Sequence, residues 1–203
     1  MQGRDAGHLN LYVGLVHYPV YDKGGRTICS AVTNLDVHDI ARCTRTFGIR
    51  GFYVVHPLDS QRELVARIIR HWTRGPGAMY NPARKEAFEP VRIRATLEEV
   101  IDEIAEANQP RVRLVATGAA VKGEAISYER MRGFLADSSQ PYLLLFGTGW
   151  GLAQEVFEKS DYTLAPIEGT VDYNHLSVRS AVAIILDRLI GRLLGNGVFS
   201  RTV

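Results

Sequence analysis

The sequence predicts an α/β fold, a mainly parallel sheet with helices on both faces. Two observations carry that prediction. Segments that read as strands and as helices alternate over the whole length, which is the signature of βαβ units. Apolar runs such as Leu143–Phe146 are continuous rather than alternating, as in strands buried on both faces. A third observation sets the scale. The chain has 203 residues, 46% of them hydrophobic and 23% charged, which suits a single globular domain over residues 1–203 with a core of its own.

Taken in order, Leu9–Val16 reads as a buried strand that ends at the His17–Arg26 loop, where Pro19 and Gly24-Gly25 break regular structure. Asn34 or Asp36 is placed to cap a helix running to Phe47, and Gly48 to terminate it. Gly51–Val55 is a second strand, closed by Pro57, and Asp59 opens a helix to Trp72. Arg74–Pro82 is rich in Gly and Pro and reads as a loop. Val91–Arg94 is a short strand, followed by a helix over Leu97–Ala107 led by a Thr96-x-x-Glu99 capping box. Val112–Ala116 and Tyr142–Phe146 are strands, with a helix over Tyr128–Ala136 between them. A helix over Trp150–Lys159, a strand over Tyr162–Ala165 and a long helix over Leu176–Leu194 complete the series.

Composition narrows the function classes. No apolar run is long enough to span a bilayer, and Met1–His8 is polar, without a signal-peptide core, so a cytoplasmic protein is expected. Cys29 and Cys43 are too few for a disulfide framework or a structural zinc site, and the six histidines show no metal-ligand spacing. The formal charge is only +2, yet Arg62, Arg67, Arg70, His71 and Arg74 cluster, and Arg84, Lys85, Arg92 and Arg94 follow. Such a cluster permits an RNA-facing patch, because phosphate contacts rest on Lys and Arg; solvated helix faces look the same in sequence.

The run Leu143–Phe146 passes straight into Gly147-Thr148-Gly149-Trp150-Gly151. Three glycines in five residues let the backbone turn sharply and approach a ligand that a Cβ would exclude. A dinucleotide-binding turn is one reading, with Glu168 where a ribose-binding acid would stand, and a nicotinamide-dependent oxidoreductase its consequence. In that architecture, however, the glycine turn follows the first strand and further strands come after it, whereas here the glycines and their helix are followed by only one strand, Tyr162–Ala165, and one helix. No Gly-Lys-Ser/Thr follows, which excludes a P-loop.

A second constellation follows the strand at Tyr162: Pro166-Ile167-Glu168-Gly169-Thr170-Val171-Asp172-Tyr173-Asn174-His175, then Leu176-Ser177-Val178-Arg179-Ser180-Ala181 opening an apolar helix. A helix with so few polar positions must be covered. Ser177 and Ser180 can serve the free amides at its start.

These segments resemble the SPOUT (α/β-knot) methyltransferases. That family carries L-x-x-G-x-x-x-x-G-L before a helix, I/P-x-x-G after the next strand, and S-L-N-V-S-x-A at the start of the last helix. Leu144–Leu152, Ile167–Gly169 and Asn174–Ala181 are similar to the three motifs, in that order. The tail Ile185–Gly191 with Leu194-Gly195 looks like the tRNA (guanine-N1) methyltransferase branch. Asn34…Arg42…Gly48 is a weaker likeness to the N-x-G-x-x-x-R-x5-G motif of ribose 2′-O methylating members. It keeps the Arg-to-Gly spacing but has two extra residues before Arg42, and Asp36 where glycine is usual.

The resemblance implies a C-terminal trefoil knot and a homodimer, with S-adenosylmethionine as cofactor and RNA, either tRNA or rRNA, as substrate. It implies that three loops, Thr117–Val121, Phe146–Gly151 and Ile167–Leu176, hold the cofactor largely by backbone groups. Carried over residue by residue, the cofactor set is Thr117, Gly118, Phe146, Gly147, Thr148, Gly151, Ile167, Glu168, Gly169, Tyr173, Asn174, His175, Leu176, Ser177 and Ser180. Arg42 would stabilise an oxyanion or hold a phosphate, and Asp172 or Glu168 would be the base for a ring nitrogen. No metal or membrane is implied. The alternative within the same fold is a protein that binds cofactor or RNA without transferring a methyl group.

Overall fold

The computed structural model describes residues 9–107, 111–121 and 123–191. Strand β1 (Leu9–Val16) leads into a small antiparallel pair, β2 (Val20–Tyr21) and β3 (Thr27–Ile28), then α1 (Asn34–Thr46) and β4 (Ile49–Val55). Helices α2 (Asp59–Thr73), α3 (Pro76–Tyr80) and α4 (Pro82–Phe88) precede β5 (Val91–Arg94) and α5 (Leu97–Ala107). Then come β6 (Arg113–Ala116), α6 (Tyr128–Leu135), β7 (Tyr142–Gly147), α7 (Gln154–Lys159), β8 (Tyr162–Thr163) and α8 (Val178–Leu186). A five-residue π-helical turn, Asp187–Gly191, extends α8.

The main sheet has six strands in the order β5-β4-β1-β7-β6-β8, and every neighbouring pair is parallel. β1 lies at the centre: Val13 is in register with Phe52 of β4 on one side and Leu144 of β7 on the other. Successive side chains of a strand point to opposite faces, so the continuous apolar runs feed two cores. Leu11, Val13 and Leu15 join Phe52, Val54, Leu144 and Phe146 beneath α1, α2, α4, α6 and α8. Tyr12 and Val16 join Tyr53, Val55, Leu143 and Leu145 against α5 and α7. The predicted fold class is thus observed, with the main sheet parallel throughout.

Local chemistry explains where the elements depart from expectation. The cap of α1 is Thr33, not Asn34 or Asp36: its Oγ1 accepts from the Asp36 amide at 3.2 Å and donates to the Asp36 carboxylate at 2.6 Å. Gly48 ends that helix at φ +66°, a conformation open to glycine. The predicted Arg74–Pro82 loop contains α3, which Pro76 initiates from a position where the missing amide costs nothing. Asn81 then caps α4, accepting from the Arg84 amide at 2.9 Å. Thr96 caps α5 as expected, its hydroxyl accepting from the Glu99 amide at 3.2 Å, while the Glu99 carboxylate reaches back to the Ala95 amide at 2.9 Å rather than to that of Thr96.

Trp150–Ala153 is not helical, so α7 starts at Gln154; Gly149 and Gly151 at φ +59° and +101° keep the preceding loop out of helical geometry. Ordered pairing of β8 stops at Thr163, with Leu164 bridging only to Ile126. The last helix starts at Val178 rather than Leu176, because Ser177 caps it by accepting from the Ser180 amide at 3.2 Å. Its expected end at Leu194 lies outside the described residues.

Candidate cofactor site

β7, β6 and β8 are adjacent and parallel, so the loops leaving their carboxyl ends open on one edge of the sheet. These are the loops beginning at Thr117, Gly147 and Leu164, and they hold the sequence-predicted cofactor residues except Phe146, which lies in β7, and Ser177 and Ser180, which cap and begin α8. From β1 the chain fills β4 and β5 on one side, while β7, β6 and β8 occupy the other. In open parallel sheets, ligands bind outside the carboxyl ends of the strands at such a reversal.

The glycine loop is held by its backbone. A Cβ on Gly147 would lie 2.4 Å from the Leu152 amide nitrogen and 2.8 Å from the Gly151 carbonyl carbon, so the loop folds back on itself only because this residue is glycine. The Trp150 amide donates to the Tyr21 carbonyl at 2.9 Å, and the Tyr21 amide donates to Gly151 at 2.9 Å. Thr148 is buried, with its amide and hydroxyl both donating to the Val16 carbonyl at the end of β1 and its hydroxyl touching Ser30. Phe146 is a core residue: its side chain packs on the α1 and α8 side, which leaves its backbone as the part facing the loop.

Thr117 is likewise turned inward, its amide and hydroxyl donating to the Leu145 carbonyl at 3.1 and 2.9 Å. Gly118 sits against Phe157, whose Cζ would be 3.2 Å from a Cβ. Asn174 ties two loops together: its amide group donates to the carbonyls of Ala119, at 3.3 Å, and Ile167, at 3.1 Å. His175 meets the third loop edge-on through Trp150, ring centres 5.6 Å apart, and packs beside Tyr173 at 5.4 Å. Trp150, Val171, Tyr173 and Leu176 are exposed, an apolar rim around the convergence, while Glu168, Gly169 and Asp172 are open to solvent. A largely backbone-lined crevice with an apolar rim suits a ligand with an aromatic ring and few charges.

Beneath this edge lies a polar cluster that sequence reasoning missed. His17, fully buried at the end of β1, packs tilted against His56 at the end of β4, with ring centres 5.4 Å apart. Burial, reinforced by the neighbouring His56, pushes the His17 pKa down to about 4. His56 accepts the Leu58 amide proton on Nδ1 at 3.1 Å and therefore donates from Nε2 to the Ser30 carbonyl at 3.0 Å, which fixes its neutral tautomer. Cys29 Sγ lies 3.6 Å from that committed nitrogen, and burial raises the thiol's pKa, so the pair does not make an activated thiolate. A histidine at the end of an apolar strand was the available signal. Tyr21, which pins the glycine loop, sat in a segment read only as a loop.

Arg42 is on the exposed side of α1, lining a groove with residues of α2 and α4. No hydrogen bond or ion pair joins it to Asp172 among the described residues. The first turns of α1 do meet the start of α8: Arg179 pairs with Asp36 at 3.0 Å and with Asp39 at 3.2 Å. The predicted basic cluster divides. Arg67, Arg70, His71, Arg74 and Arg84 share the groove with Arg42. Arg62 instead pairs with Asp59, and Arg94 with Glu103 at 2.5 Å. Among the described residues no group of three or more His, Cys, Asp or Glu is placed to hold a metal, and no helix is long and apolar enough to cross a membrane.

A family model described as SAM-dependent RNA methyltransferase matches residues 10–191. The chain belongs to that family. Within it, the chain is similar to a tRNA (guanine-N(1)-)-methyltransferase of Oleidesulfovibrio alaskensis, 46% identical over 185 residues that cover 91% of this chain and 43% of the relative. A protein of the same name from Nitratidesulfovibrio vulgaris is 45% identical over 90% of this chain and 42% of its own length. The chain thus spans less than half the length of these two relatives. An uncharacterized protein of Aquifex aeolicus is 42% identical, with 90% of this chain and 89% of the relative covered. Among solved structures, the SpoU methyltransferase AviRb of Streptomyces viridochromogenes in complex with AdoMet shares the fold at TM-score 0.57, with 19% identity, 95% of this chain and 60% of that chain covered. For this SAM-dependent RNA methyltransferase family member, the crevice at the carboxyl ends of β6, β7 and β8 is the feature to test against the cofactor.

Proposed function

We propose that this chain binds S-adenosylmethionine in the crevice formed by the loops after β6, β7 and β8, and methylates a tRNA, with guanine N1 as the acceptor. The observation that carries the reading is the convergence of three backbone-rich loops at one edge of the sheet, joined by the Asn174 hydrogen bonds and the His175–Trp150 ring contact. The names of the two relatives that are 46% and 45% identical support tRNA and guanine N1. The residues fit the cofactor, since the apolar rim can take its adenine and the exposed backbone of Gly169 its polar groups.

Bound S-adenosylmethionine supplies a methyl group already activated by its sulfonium. The chain's own residues have to orient the acceptor and take up its proton. In this reading Asp172, exposed beside the crevice, accepts the N1 proton of guanine as the new N–C bond forms, and Arg42 stabilises the negative charge gathering on the neighbouring oxygen. Since no hydrogen bond or ion pair joins these two residues among the described residues, the reading includes a homodimer in which Arg42 of one copy serves the crevice of the other. Exposed Leu35 and Leu176, on the adjoining starts of α1 and α8, support such an interface. It also includes a knotted carboxyl-terminal third within a single domain, supported by the contact of Asn174 with Ala119 and the Ile126–Leu164 bridge. An enzyme of this kind works in the cytoplasm, where its tRNA is.

Titration calorimetry with S-adenosylmethionine and S-adenosylhomocysteine tests the crevice, and methyl transfer to tRNA from cells lacking the protein tests the reaction. Saturable binding and appearance of 1-methylguanosine by mass spectrometry are expected. Absence of cofactor binding would remove the reading; binding without any methylated nucleoside would reduce it to a non-catalytic binding protein.

A further inference from the structure

The groove behind α1 is not part of the cofactor crevice. Five arginines line it: Arg42 on α1, Arg67, Arg70 and Arg74 on and after α2, and Arg84 on α4. The single carboxylate on its walls, Asp39, is already paired with Arg179. Among the described residues Arg42, Arg70 and Arg74 have no ion-pair partner, and Arg67 reaches Glu63 only at 3.8 Å. So dense a set of uncompensated guanidinium groups repels itself and calls for a polyanion. With a volume of about 1040 Å³ the groove is at the upper end for small-ligand pockets, and it is open to solvent, which suits a length of polymer.

Its floor also holds one donor too many. Trp72 Nε1–H donates to His38 Nε2 at 3.1 Å, and the Arg84 guanidinium stands 2.7 Å from His38 Nδ1. Neither indole nor guanidinium can accept, and a neutral imidazole accepts at only one nitrogen. In either tautomer one N–H is left facing another donor, so the cluster lacks an acceptor of the kind a phosphate oxygen provides. Arg84 cannot turn away freely, because it lies over the Trp72 ring, 5.0 Å from its centre.

Helix α3 follows directly on Gly75 of the groove's lining and packs beside this cluster. Gly77 of α3 packs so tightly on α2 that a Cβ would lie 2.7 Å from His71 Nε2 and 2.8 Å from Trp72 Cε3. Seated in this way, α3 carries Met79 and Tyr80 almost wholly exposed, at 89% and 87%. An exposed tyrosine beside a run of arginines is the pairing that binds single-stranded nucleic acid, charge for the phosphates and a ring for the base.

We infer that the α1–α2–α4 groove binds an unpaired stretch of the RNA substrate, its phosphodiester backbone on Arg70, Arg74 and the Arg84–His38 cluster and a base stacked on Tyr80. The inference rests on the RNA reading above. The test is filter binding of end-labelled total tRNA from cells lacking the protein, across a series of KCl concentrations, with cofactor affinity measured on the same preparations. The Arg70→Gln/Arg74→Gln double variant is expected to bind tRNA roughly tenfold more weakly, with the salt slope reduced by about 0.7 for each arginine removed. Arg70→Lys/Arg74→Lys restores the slope. Tyr80→Ala weakens binding roughly tenfold and leaves the slope unchanged. Unaltered cofactor binding shows that the variants are folded. Wild-type affinity and slope in the glutamine double variant would overturn the inference, and so would a change in sedimentation without a change in slope, which would make the groove a subunit interface. Failure of the unmodified protein to bind tRNA at all would instead remove the RNA reading on which the groove depends.

Discussion

The crevice at the sheet edge and the groove behind α1 are built from opposite materials. The crevice is made by backbone: glycines that admit close approach, carbonyls and amides already aimed by the strands, and threonines turned inward to hold the loops. The groove is lined by long cationic side chains on and just after helices. Backbone geometry gives shape selectivity that salt does not screen, whereas guanidinium groups give attraction that is strong, tolerant of sequence and weakened by salt. The two can therefore be perturbed separately.

The sharpest break in the comparison is at Arg42, which lines the groove but is assigned to the chemistry of the crevice. Arg42→Ala is expected to lower kcat on the order of a hundred- to a thousandfold while calorimetry finds cofactor affinity intact. A loss confined to RNA affinity would move Arg42 wholly into the groove.

Acid should reach the crevice first. His17 takes a proton below about 6.5 in the unfolded chain but only below about 4 in the folded protein. Between those values the unfolded state binds the proton that the fold refuses. The contribution is complete above the upper value and is lost as pH falls toward the lower one, on the order of 3 kcal/mol in all. Urea unfolding from pH 7 to 4.5 should show the decline, and His17→Gln should flatten it; identical profiles would sever His17 from the effect.

Gly147→Ala tests the backbone half of the contrast. A methyl group 2.4 Å from the Leu152 nitrogen forces the loop open, with loss of measurable cofactor binding and about 1–3 kcal/mol of stability. Unchanged affinity would mean that the loop's shape does not matter. The smallest effect is expected at Asn174→Ala, where loss of the contacts to Ala119 and Ile167 should weaken cofactor binding about tenfold, on the order of 1 kcal/mol, with little change in melting temperature.

Much of the fold was legible because strand runs such as Leu143–Phe146 and caps such as Thr96-x-x-Glu99 are local signals. The misplacements arose where distant contacts decide. Trp150–Ala153 reads as the start of a helix, yet Tyr21, far away in sequence, holds Trp150 and Gly151 in a loop. The short α3 was hidden in RGPGAMYNP because Gly and Pro signal turns, while packing on His71 and Trp72 favours a helical turn. At Phe146 strand parity turns the side chain into the core, so only its backbone is left for the cofactor role that the resemblance implies.

The sequence by itself determined an alternating α/β chain with two ordered, glycine-bearing loops in its last third, because periodicity and backbone freedom are written residue by residue. Only the tertiary structure decided that the loops after β6, β7 and β8 meet at one edge, since that follows from the strand order β5-β4-β1-β7-β6-β8. It alone divided the arginines: a carboxylate within reach pairs with Arg62 and Arg94, and among the described residues Arg70 and Arg74 have no such partner. Charge can be counted along a chain, but its compensation depends on distances that folding sets.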